Sequence, residues 1–193
     1  MIWLWKFRSI LRAGHRGHRR FVPEELGHAL IESYLLNDRM NQIVLEDLDP
    51  RAWRTKTPGG VRTIAAIFSH VHNIRRKWVR LSAPQLELPA ALDRAHCTQA
   101  EAAGALAESA ARCCEMLRRA LIERDGRVQE FRRDGWARPW PLGAAMVAYM
   151  ITHDAHHRGQ ACLLAHQLGF PLPAASVSGM WAWERLGNPL LVR

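Results

Sequence analysis

The sequence has few features of secreted, disulfide-stabilised or membrane-spanning proteins. Its 193 residues include only four cysteines, and no two are spaced as Cys-x-x-Cys (Cys97, Cys113, Cys114, Cys162). A chain of this length can bury a hydrophobic core without disulfides. We therefore interpret the cysteines as free thiols of a cytoplasmic protein. No apolar run approaches the roughly 20 residues that a membrane-spanning helix needs.

Several common catalytic and binding motifs are also missing. The chain contains no Gly-rich phosphate loop, no Ser/His/Asp arrangement and no zinc-ribbon spacing of cysteines. We find no internal repeat and no convincing strand pattern. What remains is a series of long segments with helical periodicity.

The net charge of +9 is concentrated at the N-terminus. Residues 1–20 hold six basic and no acidic residues, which leaves 21 basic against 18 acidic residues in the remainder. We predict a basic N-terminal arm over residues 1–20 and one helical domain over 21–193. The arm is either an amphipathic helix that contacts a membrane or a partner, or an extension with little structure. Nucleic-acid binding is not expected, because the domain itself is nearly balanced in charge.

Periodicity and capping signals predict an all-α four-helix bundle. Pro23 with two following acids begins the first helix, and the capping box Thr98-x-x-Glu101 begins the third. Gly169 is placed to cap the fourth. The predicted helices are Pro23 to about Leu48, Thr63–Leu81, Thr98 to about Arg124, and Leu142–Leu168. We expect a crossing connection over Arg127–Pro141 and a short C-terminal helix, Ser178–Leu186, whose Met180, Trp181 and Trp183 pack onto the bundle.

The densest group of potential metal ligands is His153–Gln160, in the fourth helix. Residues four apart share a helix face, so His153 and His157 can point at one object, whereas Asp154 points away and His156 flanks the pair. Buried imidazoles need partners, and these two interrupt an apolar stripe of the same helix (Met146, Met150, Leu164, Leu168). A metal ion is one partner that would satisfy both.

A third histidine can come from the second helix. His70 lies roughly 80° from the centre of its apolar face and His72 roughly 120°, which favours His70. Three imidazoles can hold a divalent metal with a position left open. The His-Glu-x-x-His arrangement of zinc peptidases is absent, because Asp154 stands in place of the Glu. We interpret the basic residues of the second helix as a solvated face, or alternatively as a site for an anionic partner (Arg75, Arg76, Lys77, Arg80).

These motifs together resemble the DinB/YfiT-like family of four-helix-bundle metal proteins, over about Pro23 to Leu186. The similarity rests on His70 followed eight residues later by Trp78, and on the His-x-x-x-His-Arg-Gly-Gln of residues 153–160. It also includes Gln167-Leu168-Gly169 with Pro171, and Met180-Trp181.

The resemblance implies a metal site made by His70, His153 and His157, with zinc or nickel as the metal, and a homodimer. It further implies a metal-dependent hydrolase, or a transferase that uses a low-molecular-weight thiol, acting on a small-molecule substrate. The alternative is a non-catalytic bundle in which the metal or the histidines are structural. Tyr149 and His156 are candidates to assist a proton transfer.

The remaining residues of the motif have predicted roles of their own. We expect Arg158 to project away from the site and form an ion pair with a neighbouring helix. Gly159 is expected to allow a close helix approach. Gln160, three residues after His157, is placed to hydrogen-bond either a ligand histidine or a metal-bound water.

Overall fold

The computed structural model describes residues 23–56, 62–122 and 143–187. The predicted N-terminal arm and the crossing segment 127–141 lie outside the described residues, as does most of the loop around Pro58.

The described residues form four long helices and two short ones. The long helices are α1 (Pro23–Asp47), α2 (Ile64–Ser82), α3 (Gln99–Leu121) and α4 (Gly143–Gln167). The short ones are α5 (Ala174–Gly179) and α6 (Trp183–Leu186), and a 3-10 turn, Pro50–Ala52, follows α1. There is no strand in the three described ranges. The predicted all-α bundle is therefore confirmed.

Local sequence signals explain where the helices begin and end. The Thr63 hydroxyl accepts a hydrogen bond from the Ala66 N–H and caps α2, and the predicted capping box of Thr98 and Glu101 is formed at α3. After α4, Gly169 has a φ of +83°, a conformation that favours glycine. The bond from the Phe170 N–H to the Ala165 carbonyl completes a Schellman cap.

The bundle core consists of two apolar clusters. One includes Val44, Phe68 and Leu106, and the other includes Tyr34, Trp78 and Met150. Along α1, α2 and α4, buried polar residues lie between members of the two clusters (Asn37, Asp38, Asn41, Arg75, Asp154, Arg158). This polar layer is therefore at mid-height of the bundle, on the level of the histidines of α4.

Several expectations about individual residues are wrong. A Cβ added at Gly159 would meet nothing within 4 Å, so this glycine is not needed for a close helix approach. A tight contact between helical segments is found instead at Gly27, whose added Cβ would lie 3.3 Å from Ile122. The predicted C-terminal helix is two short helices. Met180 is buried, but Trp181 is 72 % exposed and Trp183 45 %, because the chain turns between α5 and α6 and carries both rings outward.

All four cysteines are free thiols. Among the described helices, none combines the length and the apolarity that crossing a bilayer requires.

Candidate functional site

Three histidines from two helices meet at one point of the bundle surface. His70 of α2 faces His153 and His157 of α4, and one nitrogen from each ring lies within 4.8 Å of the other two. The ring centroids are 4.6 Å apart for His153 and His157, 4.7 Å for His70 and His157, and 5.4 Å for His70 and His153. The structure thus brings together all three residues that the sequence singled out.

His72 is fully buried but takes no part in this cluster. Its Nδ1 lies 2.8 Å from the Ala105 carbonyl oxygen and its Nε2 2.8 Å from that of Ala90. Of the two histidines of α2, His70 is the one that lies with His153 and His157. The helix α2 packs against both α3 and α4, and His72 points inward to α3 whereas His70 points to α4.

Hydrogen bonds orient two of the three rings. The Nδ1 of His157 lies 2.8 Å from Oε1 of Gln160, which confirms the predicted contact of Gln160. The Nδ1 of His153 lies 3.3 Å from Oδ1 of Asp154. Since both oxygens only accept hydrogen bonds, each Nδ1 carries the proton and each Nε2 keeps its lone pair.

Burial favours the uncharged form of two of the three imidazoles, His70 and His157. Desolvation lowers the pKa of His70 to about 4, and the neighbouring His157, His153 and Arg62 contribute to this lowering. Desolvation also lowers the pKa of His157, partly offset by its bond to Gln160. Both imidazoles are therefore neutral at pH 7.

Aromatic rings line one side of the cluster. The buried Trp78 meets His153 edge-on, with centroids 5.1 Å apart, and Tyr149 packs on Trp78 at 5.9 Å. Trp78, a member of the apolar face of α2 and part of the family resemblance, thus packs directly against a site histidine. His156 is exposed, with its ring 5.0 Å from that of His157.

A buried charged network adjoins the histidines. The guanidinium of Arg75 donates to Asp154 at 2.5 Å and to Asp38 at 2.6 Å, and Asn37 also donates to Asp154. Burial opposes the charge of Arg75, but these carboxylates outweigh it and raise its pKa. The interpretation of Arg75 as part of a solvated face is wrong. Asp154 does point away from the pocket, and it lies in a buried charged layer that also touches His153.

Arg158 belongs to the same layer. It donates to the side-chain oxygens of Asn37 and Asn41, both at 2.9 Å. It contacts a neighbouring helix as expected, but through amide oxygens instead of the predicted ion pair.

Two clefts open beside the cluster. The first, of about 330 Å³, is lined by His70, Asn73 and Asp93 together with Arg62 and Arg94. The second, of about 200 Å³, is lined by Gln160 and by Ile67, Leu163 and Leu164, and Arg62 borders it as well. The first cleft therefore gives a small molecule access to His70, and the second gives access to Gln160, the hydrogen-bond partner of His157.

The family comparison agrees with the geometry of the site. A model of the DinB family matches residues 23–185, which is most of the chain and includes all three histidines. The chain belongs to the DinB family. No curated protein matches this sequence significantly.

The sequence analysis of this DinB-family chain did not identify the buried polar residues of α1 or Arg62, which precedes α2. Asn37 and Asn41 are four residues apart within an apolar stripe, the same signal that revealed His153 and His157. Asp38 and Arg62 had no comparable pattern, because one carboxylate and one arginine near a helix end are common on solvated surfaces.

Proposed function

We propose that the protein binds a divalent metal ion through His70, His153 and His157 and uses it in a metal-dependent reaction on a small molecule. The observation that carries this proposal is the convergence of three ring nitrogens within 4.8 Å. Three protein ligands leave coordination positions for a substrate or water, as in catalytic zinc sites.

The donor set fits a metal of the zinc or nickel type. Imidazole suits both metals, and burial holds His70 and His157 in the neutral form that ligation requires. Asp154 and Gln160 bond the Nδ1 atoms of two rings, the arrangement by which many metal sites fix the tautomer of their ligands. A divalent ion there would lower the pKa of a bound thiol or water toward neutrality.

The reaction class is a thiol-dependent transfer or a hydrolysis. In the first case the thiol comes from a second small molecule, because the protein's own cysteines are poor nucleophiles. Burial raises the pKa of Cys113 and of Cys114 to about 12 and raises that of Cys162. Cys97 is buried against Ser69. An external thiol can enter through the cleft that His70 lines.

Metal analysis of protein purified without an affinity tag tests the proposal. We expect about one equivalent of zinc or nickel per chain, and loss of binding in the variant with His70, His153 and His157 all changed to alanine. The matched control is a triple variant of exposed histidines outside the cluster (His28, His96, His166), which should retain the metal. A metal-free wild type that also fails to bind zinc or nickel in titration refutes the proposal.

The second candidate is a non-catalytic bundle whose metal supports the fold. The close contact of the His153 imidazole with the buried ring of Trp78 favours it. Chelator treatment separates the two, by comparing the melting temperature with thiol transfer to electrophilic probes and with ester hydrolysis. A structural metal changes only the melting temperature, whereas a catalytic one governs turnover.

A further inference from the structure

The larger cleft beside His70 contains two arginines whose charges are not used by the fold. Arg62 and Arg94 both line it and are both exposed. Among the described residues, no acceptor takes a hydrogen bond from either guanidinium. This differs from Arg75, which donates to two carboxylates and a backbone carbonyl.

The other polar groups of the cleft are already engaged. The side chain of Asn73 donates to the Leu92 carbonyl and accepts from the Leu92 N–H. The carboxylate of Asp93 accepts from the Ala95 N–H at 2.7 Å and contacts Nδ1 of His96 at 2.6 Å. Ser69 donates to the carbonyl of Ala65. The cleft therefore offers an incoming ligand two cations and few competing polar groups.

His70 itself lines this cleft, and Arg62 is a second link between the cleft and the histidines. Arg62 borders both clefts, and its charge is felt at His70 and at His157. A volume of about 330 Å³ lies within the range of small-molecule sites. A ligand that engages Arg62 thus has its remaining atoms within reach of the imidazoles.

We infer that this cleft binds the anionic group of a small organic molecule, a carboxylate or phosphate held by Arg62 and Arg94, and directs the rest of that molecule to the histidine cluster. Guanidinium groups match both anions through paired N–H donors. The inference rests on the function proposed above, since it names the class of substrate for the same site.

The test compares ligands of one size that differ in charge. The full-length protein, as purified and after chelator treatment, is titrated calorimetrically with butyrate, methyl phosphate and the neutral butyramide. We expect the two anions to bind in both states, with butyrate at least about tenfold tighter than butyramide, as charge-assisted bonds allow. The preferred anion identifies the group that the cleft selects.

Variants locate the binding. Arg62→Ala should weaken the binding of both anions about tenfold and Arg94→Ala somewhat less, while Arg62→Lys should retain part of the affinity because it keeps the charge. Arg80→Ala removes an exposed arginine from the last turn of α2 and is the control, with an expected change below about twofold.

Two results would overturn the inference. One is equal binding of butyrate and butyramide. The other is binding of anions only to the metal-loaded protein with full retention in Arg62→Ala, which would put the anion on the metal and leave the proposed function intact. Arginine-dependent binding in a protein that takes up no metal would instead support the cleft and refute the proposed function.

Discussion

Two pairs of polar residues, each spaced four apart, lie side by side on α4 and behave differently. His153 and His157 face α2, and one ring nitrogen of each converges with one of His70. Asp154 and Arg158 face the interior, where Arg75, Asn37 and Asn41 supply their partners. The second pair is satisfied by the protein itself, whereas the first pair gathers lone pairs at one point. The spacing alone does not distinguish a structural pair from a ligand site; the partners do.

The first prediction concerns Arg75, which lies at the centre of the hydrogen-bond network around Asp154 and Arg158. Arg75→Met leaves Asp38 and Asp154 buried without their cation, and breaking a buried ion pair costs about 3–5 kcal/mol. We expect the free energy of unfolding in urea to fall by this amount. Arg80→Met in the same helix is the control and should stay within about 0.5 kcal/mol of wild type, since Arg80 is exposed.

If Arg75→Met lowered the free energy of unfolding by less than about 1 kcal/mol, the buried charged layer would be dispensable for folding. The two α4 pairs would then not differ as described.

The second prediction removes a member of the open cluster. His153→Ala should lower metal affinity by more than about 100-fold, since losing only an outer partner of a ligand typically costs 10–100-fold. The free energy of unfolding of the metal-free protein should change by less than about 1–2 kcal/mol, because no charge is stranded. Competition with a chromophoric chelator measures the affinity and urea denaturation the stability.

His156→Ala is the matched control for that experiment, because His156 is on the same turn but exposed. Its metal affinity should remain within about twofold of wild type. An equal loss in both variants would show that general histidine content, and not the cluster, holds the metal.

The fold was largely accessible from sequence because its signals are local. Thr98, Glu101 and Gly169 act on backbone groups within a few residues, and an apolar stripe needs only helical periodicity. The pair His153 and His157 was accessible for the same reason. Membership of the DinB family, which residues 23–185 show, came from motifs spread along the chain.

The hydrogen-bond partners of the buried polar residues could not be predicted from the sequence, because they depend on how the helices pack against one another. Arg75 lies in a run of basic residues with Arg76 next to it, and no signal in the neighbouring sequence indicates which arginine of such a run is buried. Its burial follows from Asp38 on α1 and Asp154 on α4, which are 37 and 79 residues away. The same holds for His72, whose ring nitrogens lie against backbone carbonyls of α3 and of the connection before it.

The third prediction concerns the residue that orients a histidine of the open cluster. Gln160→Leu removes the acceptor of the His157 Nδ1–H and should weaken metal binding about tenfold, with little change in the stability of the metal-free protein. Gln167→Leu, seven residues further on the same helix and exposed, is the control. If both variants bind metal as wild type does, Gln160 does not fix the ring.

The fourth prediction uses a charged cluster that is neither buried nor a ligand site. Glu115 accepts bonds from Arg118 and Arg119 on α3, and these bonds lower its pKa to about 2. Because the folded pKa is below the usual value of 4.5, the stabilisation is present above pH 4.5 and is lost as the pH falls toward 2. Glu115→Gln should therefore cost at most about 1 kcal/mol at pH 7, reduced by solvent screening, and nothing near pH 2. Urea denaturation of the wild type and of Glu115→Gln at several pH values measures this difference in the free energy of unfolding.

The dependence on salt separates exposed from buried charge. High salt should diminish the cost of Glu115→Gln, whereas the cost of Arg75→Met should persist. If Glu115→Gln instead cost more than about 2 kcal/mol at every salt concentration, exposed and buried charges would not differ. The comparison of the two α4 pairs depends on that difference.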